Sequence, residues 1–192
     1  NAIYGFLTML FKMIKNYEPS HISVAFDMKA PTFRHKSYTE YKAGRQKMPG
    51  ELAMQLQPLK DVLDKMNIDR QEIEGYEADD ILGTLSLDAE KEGYEVYIVT
   101  GDRDAIQLAS EKTRVLITKK GVGEVEEYDA KAVMERYSLT PDQFIDLKGL
   151  MGDKSDNIPG IPGIGEKTGI KLLLEYKTVQ GVLDNVDKLK GA

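Results

Sequence analysis

YEVYIVTGDRD, residues 94–104, is the stretch that decides the fold. Its first seven residues are rich in β-branched and aromatic side chains, and this composition predicts a strand. Gly101 then ends the strand, and Asp102 and Asp104 follow at its carboxyl end. Ligands of α/β sheets bind beyond the carboxyl ends of the strands, so acids at this place indicate a functional site.

Segments on both sides of this strand alternate between helix and strand patterns. Helices are predicted over 2–16, 49–66, 79–92, 105–110, 130–137 and 141–151, and strands over 21–26, 71–74, 94–100 and 114–118. Thr140 is expected to cap the last of these helices, with Pro141 at its first position. Such alternation predicts an α/β fold whose mostly parallel sheet is flanked by helices.

The composition excludes several classes of protein. The 192 residues contain no cysteine and two histidines, so disulfides, thiolate metal sites and a histidine-rich zinc site are excluded. The absence of cysteine fits a reducing compartment, and we expect a cytoplasmic protein without a membrane partner. No apolar run approaches the ~20 residues that span a membrane, and the opening stretch has no signal-peptide pattern.

Acidic residues concentrate where loops meet regular elements. We expect eight of them to surround one site: Asp27, Glu77, Asp79, Asp80, Asp102, Asp104, Asp153 and Asp156. Carboxylates crowded into one pocket disfavour each other's ionisation, and hard divalent cations such as Mg²⁺ relieve that repulsion. Simpler explanations exist for two clusters, because acids at 77–80 complement a helix dipole and Asp153 suits an Asx turn.

A basic segment, residues 28–48, stands beside these acids in the sequence. It has six basic residues against one acid, which gives a formal charge of +5. We predict an exposed arm that holds a polyanion over the acidic pocket. Phe33, Tyr38 and Tyr41 are expected to stack on bases. The alternative is an ordinary solvated loop.

A glycine-rich turn, residues 160–168, follows the last predicted strand–helix unit. It lacks the Gly-Lys pair of a P-loop, and it also lacks the third glycine of the dinucleotide fingerprint. Exposed backbone N–H groups and a helix N-terminus predict instead a grip on phosphate without sequence readout. The expected DNA-binding positions are Gly160, Gly163, Gly165, Lys167 and Thr168. The alternative is a structural turn between packed helices.

The combined motifs resemble a known family. FD at 26–27, FRH at 33–35, YKAGR at 41–45, GYEADDILG at 75–83, TGDRD at 100–104 and GLMGDKSDNIPGIPGIGEKT at 149–168 are similar to the 5′-nuclease domains of bacterial DNA polymerase I type, within the flap endonuclease family. The resemblance covers essentially the whole chain, in order. It implies a PIN-like core (1–139) with a helical arch at 28–48, and a helix-hairpin-helix element at 140–192.

The resemblance also implies the roles of individual residues. The eight acids would coordinate or surround two Mg²⁺ or Mn²⁺ ions. Arg34, Lys42 and Arg45 would lie on the arch and contact the scissile phosphate or the 5′ strand. The hairpin would grip duplex DNA and hold K⁺ through its carbonyl groups. The implied substrates are 5′ flaps, nicked or branched duplexes and RNA primer ends, cut by a monomer that shares its full-length chain with a polymerase domain.

One feature of the family is not found in this sequence. The family begins with a strand that ends in Asp-Gly-Asn, whereas this chain starts within the helix that follows it, and it stops soon after the hairpin. Three hypotheses follow from the residues: a two-metal 5′-nuclease, a branched-DNA-binding module without catalysis, and a Mg²⁺-dependent phosphatase for small molecules. The phosphatase leaves the basic arm and the hairpin unexplained.

Overall fold

The computed structural model describes residues 1–119 and 124–189, and these form an α/β fold. The helices are α1 (Ala2–Tyr17), α2 (Phe33–Ser37), α3 (Gly50–Lys65), α4 (Ala78–Lys91), α5 (Ala130–Tyr137), α6 (Pro141–Met151), α7 (Glu166–Tyr176) and α8 (Val179–Leu183). The strands are β1 (Ser23–Ala25), β2 (Asp69–Gln71), β3 (Val96–Thr100), β4 (Thr113–Thr118), β5 (Val125–Tyr128), β6 (Gly152–Asp153) and β7 (Ile158–Pro159). Short 3₁₀ helices cover Arg103–Leu108 and Val186–Lys188. In this part of the chain, no helix is long and apolar enough to cross a membrane.

The strands confirm the predicted parallel sheet, which here consists of separate hydrogen-bonded groups. β1 pairs with β2 in parallel, and β3 pairs with β4 in parallel. β5 adds an antiparallel edge to β4 that the sequence did not reveal. Two central glutamates give β5 a weak apolar signal, and it forms because its backbone completes the β4 ladder. Residues 120–123, between β4 and β5, lie outside the described residues.

Local sequence signals set the ends of the main helices. Apolar spacing drives α1, and it ends at Glu18, which adopts the left-handed conformation with φ 44°. The side-chain oxygen of Gln55 on α3 accepts hydrogen bonds from the backbone nitrogens of Asn1 and Ala2, at 3.0 and 2.9 Å. The predicted N-cap is confirmed at α6, where the Thr140 hydroxyl accepts from the Gln143 backbone.

One hydrophobic core joins the sheet to the C-terminal helices. Ile98 on β3 and Val115 on β4 pack in the same cluster as Leu147 of α6 and Leu173 of α7. These side chains are almost fully buried, and the burial of each contributes roughly 1.5–3 kcal/mol to folding. The hairpin element therefore shares its core with β3 and β4, which fixes its position relative to the acids that follow β3.

A large cleft separates the N-terminal layer from this core. β1 and β3 both line it, each with one edge paired to a neighbouring strand. Apolar side chains of α1 and α4, including Met9, Met13 and Leu85, complete the wall, and the cleft has a volume of about 1310 Å³. Asp27 follows β1 and Asp102 follows β3, and both line this cleft. The gap between the two strand groups is therefore the place where acids from both groups lie together.

The turn from α6 to α7 depends on one close backbone approach. A Cβ atom placed on Gly160 would lie 1.9 Å from the carbonyl oxygen of Met151, which no side chain tolerates. Gly165, which precedes α7, has open space around the same position and φ −103°. The two glycines therefore differ in what they contribute, although both belong to the same motif.

We predict that Gly160→Ala destabilises the protein by more than about 2 kcal/mol, because the backbone of Met151 must move to admit the methyl group. Gly165→Ala is the matched control, and it should cost less than about 1 kcal/mol. Urea unfolding of both variants measures the difference. Equal stabilities for the two variants would show that the close approach at Gly160 is not a constraint.

Candidate active site

The predicted acids converge on the cleft, with one exception. Seven of them line it: Asp27, Glu77, Asp79, Asp102, Asp104, Asp153 and Asp156. The eighth, Asp80, turns toward the arm, and its two oxygens accept hydrogen bonds from the two terminal guanidinium nitrogens of Arg34, each at 2.7 Å. Residues separated by up to 129 positions in the sequence are thus brought to one surface.

Several of these acids also have structural roles. Asp27 accepts a hydrogen bond from the Ala78 backbone at 2.7 Å and so satisfies the start of α4. The Asp102 carboxylate caps the 3₁₀ helix by accepting a hydrogen bond from the Asp104 backbone nitrogen at 2.9 Å. One oxygen of Asp153 accepts from the Ser155 backbone at 2.7 Å, as the Asx-turn explanation requires. Turn formation and site formation therefore use the same side chains, and the second oxygen of Asp153 accepts a hydrogen bond from the Lys148 ammonium at 2.6 Å.

Burial, with like charges as a further cause, raises the pKa of two acids on the cleft wall. Asp79 retains contact with solvent, yet desolvation and the carboxylates of Asp102, Asp27 and Glu77 raise its pKa to about 6. Burial also raises the pKa of Asp104, although Lys148 opposes the shift. Both shifts come first from burial, and neighbouring carboxylates add to them.

Basic residues of the arm form ion pairs with three other acids, Asp80, Glu77 and Asp156. Arg34 binds Asp80, and this hydrogen bond holds the pKa of the Asp80 carboxyl below its ordinary value. The Lys42 ammonium lies 2.8 Å from a Glu77 oxygen. Arg45 forms an ion pair with Asp156. The three predicted catalytic cations are therefore engaged by the predicted metal ligands.

Tyr41 differs from its predicted role. Its side chain is buried, with 5% of its surface exposed, so the ring is not available to stack on a base in this arrangement. Its hydroxyl lies 3.0 Å from oxygens of both Glu77 and Asp156 and can donate to one of them at a time. Burial, followed by the hydrogen bond to Glu77, raises the pKa of Tyr41. Stacking was a wrong expectation because the arm folds onto the acids.

Two hydrogen bonds to backbone carbonyls hold the arm against the loop before the hairpin. The Lys42 backbone nitrogen donates to the Asp156 carbonyl at 2.9 Å, and the Asn157 side-chain amide nitrogen donates to the Glu40 carbonyl at 2.7 Å. Lys42 and Asn157 both adopt positive φ, at 59° and 58°. The arm is thus a folded segment with the short helix α2, rather than the ordinary solvated loop that was the alternative.

The other predicted DNA-contacting residues are accessible. Phe33 and Tyr38 expose 45% and 38% of their surfaces, and Phe33 packs against Tyr76 with ring centroids 5.8 Å apart. The hairpin lies between α6 and α7, as predicted. Gly163 adopts φ 81° in it, whereas Lys167 and Thr168 lie exposed on the first turn of α7.

Lys148 is a site residue that the sequence did not reveal. Its ammonium on α6 lies 3.0 Å from an Asp104 oxygen and 2.6 Å from an Asp153 oxygen. A lysine in the last turn of a helix is expected to complement the helix dipole, so it carried no functional signal. Its place five residues before Asp153 becomes informative only when α6 packs on the 3₁₀ helix.

The donor set fits a hard divalent cation by its chemistry. All seven groups on the cleft wall are carboxylates, and the mutual repulsion at Asp79 is of the kind that a cation relieves. Within residues 1–119 and 124–189, no three such groups lie close enough to hold one ion in the present arrangement. The carboxylates would therefore approach one another on binding, once their lysine and arginine partners release them.

The raised pKa of Asp79 predicts a pH dependence of stability. The folded protein holds this proton up to about pH 6, whereas the unfolded chain loses it near pH 3.8, so stability falls as the pH rises through this window. Asp79→Asn should raise the free energy of unfolding above pH 6 by on the order of 1 kcal/mol, because Asp79 is partly solvated. Below pH 4 the gain should vanish.

Chemical unfolding in the presence of a chelator, at pH 3.5 and pH 7.5, measures this difference. Asp61→Asn, on the exposed face of α3, is the control and should show no gain at either pH. A gain for Asp79→Asn that is equal at both pH values would contradict the electrostatic explanation.

Family models match the chain along its whole length. Residues 1–138 match the N-terminal resolvase-like domain of 5′-3′ exonucleases, and residues 139–192 match their C-terminal SAM fold. DNA polymerase I of Bacillus caldotenax is 55% identical over 191 residues, and that of Mycobacterium tuberculosis is 48% identical. The whole chain aligns in both cases and spans 22% and 21% of the length of these relatives.

Solved structures share the fold. The bacteriophage T5 5′-exonuclease with bound zinc ions has a TM-score of 0.81 and 27% identity, over 98% of this chain and 72% of that one. A T5 flap endonuclease complex with DNA and metal ions also has a TM-score of 0.81, at 26% identity, with the same coverage of both chains. The catalytic core of Rad2 in complex with DNA, 19% identical with a TM-score of 0.65, covers 99% of this chain and 57% of that one and shares the fold alone. On the evidence of both domain models and the long, highly similar alignments, the chain belongs to the 5′-3′ exonuclease family.

Proposed function

We propose that this chain is the nuclease part of a DNA polymerase I, a structure-specific 5′-3′ exonuclease and flap endonuclease that hydrolyses DNA phosphodiesters in primer removal and repair. The observation that carries the proposal is the cleft, where seven carboxylates meet beside a folded basic arm. Carboxylates alone would suit many metal enzymes, but the adjoining cations suit a polyanionic substrate. The membership of the family and the DNA complexes of the structural neighbours support the same activity.

The acids on the cleft wall would hold the divalent ions. Mg²⁺, or Mn²⁺ in its place, is the proposed metal, and two such ions supply activated water and stabilise the attacking and leaving oxygens of a phosphodiester. The carboxylates act as ligands, and no side chain of the protein is required as a nucleophile. Asp79, Asp102 and Asp104 are the central candidates, since Asp79 has no described cationic partner at hydrogen-bonding distance and Asp102 and Asp104 follow β3 directly.

The arm cations would act on the scissile phosphate. Lys42 and Arg45 would stabilise charge that develops on the phosphate oxygens, and Arg34 would orient the 5′ strand. All three are bound to carboxylates in this structure, so each must exchange its carboxylate partner for phosphate when the substrate arrives. The exchange conserves the number of charge-assisted hydrogen bonds, which keeps its cost low.

DNA outside the cleft would be held at two places. The exposed rings of Phe33 and Tyr38 would contact unpaired bases of the 5′ strand. Backbone N–H groups near Gly163 and Gly165, with Lys167 and Thr168 at the start of α7, would grip the duplex backbone. The proposal includes K⁺ at the hairpin carbonyls, monomeric protein, a cytoplasmic location and a polymerase domain in the same full-length chain.

A branched-DNA-binding module without catalysis is the second candidate. One observation favours it: among the described residues, no three acids are placed to hold a metal ion. Such a module would bind 5′-flap DNA through the arm and the hairpin and leave it uncut. The two candidates therefore differ in turnover and agree in binding.

Cleavage of a labelled 5′-flap duplex with Mg²⁺ separates the two candidates. We expect cleavage by the protein and a decrease of at least about 100-fold for Asp102→Asn/Asp104→Asn, because both ligands follow β3 into the cleft. The control Asp61→Asn/Asp142→Asn removes two exposed acids outside the cleft and should cut normally. Binding without cleavage in both Mg²⁺ and Mn²⁺ would favour the binding module.

The hairpin grip predicts an electrostatic signature in binding. Lys167→Ala should weaken binding to duplexes of every sequence alike and reduce the slope of log K against log salt by about one. Fluorescence anisotropy between 50 and 200 mM salt measures the slope. Lys131→Ala, exposed on α5, is the control that should leave it unchanged. An unchanged slope for Lys167→Ala would remove this lysine from the interface.

A further inference from the structure

Lys148 occupies a bridging position that the proposed mechanism does not use. Its ammonium lies between two carboxylates from different parts of the chain, 3.0 Å from Asp104 and 2.6 Å from Asp153. The side chains of all three are partly buried, with 29%, 34% and 14% of their surfaces exposed. An ammonium in this position is a cation shared by two carboxylates, as a bridging metal ion would be.

The charges favour replacement of the ammonium by a divalent ion. One positive charge faces two negative ones, so the bridge leaves a formal charge of −1 on the cluster. A divalent ion would neutralise both carboxylates, and Mg²⁺ generally prefers oxygen ligands at about 2.1 Å, shorter than the 2.6 and 3.0 Å of this bridge. The ammonium stands between the two carboxylates, so a divalent ion held by both of them would have to displace it.

Lysine is suited to such an exchange. Its four-carbon stem is flexible, and its ammonium is strongly hydrated when released, unlike a guanidinium held by a rigid fork. Lys148 stands on the last turn of α6 and lines the cleft, so its released ammonium remains at the cleft wall. The bridge also ties α6 to the 3₁₀ helix that carries Asp104, which keeps the two acids near each other without metal.

We propose that Lys148 is a positioning residue that acts as an internal counter-ion. It holds Asp104 and Asp153 together in the metal-free protein, and a divalent ion competes with it for that pair. The proposal rests on the proposed function, because it takes this pair as part of the metal site. It adds a residue that opposes metal binding while it preserves the geometry of the ligands.

Removal of the ammonium should have opposite effects on stability and on metal affinity. In a chelator, Lys148→Met should unfold at a temperature lower by roughly 2–8 °C, since two carboxylates lose their counter-ion. In isothermal titration with Mn²⁺, without DNA, the same variant should bind the ion roughly tenfold or more tightly than wild type. A merely structural lysine would not tighten metal binding when it is removed. Lys148→Arg should restore the unfolding temperature and keep the affinity near that of wild type.

Lys154→Met is the matched control for general charge. Lys154 is exposed and directly follows Asp153, so its removal changes the net charge equally and should alter affinity by less than about twofold. Three results would each overturn the counter-ion role while the nuclease proposal stands. They are equal Mn²⁺ affinity for wild type and Lys148→Met, weaker Mn²⁺ binding by Lys148→Met, and an equal gain of Mn²⁺ affinity in Lys154→Met.

Absence of Mn²⁺ binding by every variant would overturn both proposals. If Lys148→Met binds Mn²⁺ more tightly but wild type does not cleave the flap, the counter-ion role of Lys148 is supported and the nuclease proposal is rejected.

Discussion

Repulsion among carboxylates that converge on one cleft is the constraint to which the rest of the structure responds. Asp79 has no described cationic partner at hydrogen-bonding distance, and burial together with the neighbouring carboxylates raises its pKa to about 6. Burial alone would destabilise such a group, and neighbouring acids add to the cost. The fold tolerates the cost because cations from two other segments bind the acids around it.

These cations organise the parts of the molecule around the cleft. Arg34, Lys42 and Arg45 bring the basic arm down, and Lys148 joins α6 to the 3₁₀ helix after β3. The arm and the loop before the hairpin also meet through one backbone hydrogen bond and one donated by the Asn157 side chain. The elements that would handle DNA and the acids that would hold metal are therefore linked through the same ion pairs.

Most of the fold was predictable because its signals are local. The strand at 96–100, the amphipathic helices and the Thr140 cap follow from spacing and capping chemistry within a few residues. β5 was missed since its two central glutamates hide it, and it depends on pairing with β4. Tyr41 was misjudged because an aromatic ring in a basic segment gives no indication of what will cover it. Lys148 gave no local signal at all.

The sequence by itself determined the identity of the chemistry: which residues are acidic, which segment is basic, and that a glycine turn joins two helices. These are properties of residue type and short-range spacing, and they do not depend on how the helices and strands pack together. Only the tertiary structure decided which charge faces which. Asp80 and Asp79 are adjacent in sequence, yet one binds Arg34 and the other faces carboxylates, because the helix turns successive side chains in different directions. Pairing across the cleft depends on long-range packing, and no local pattern records it.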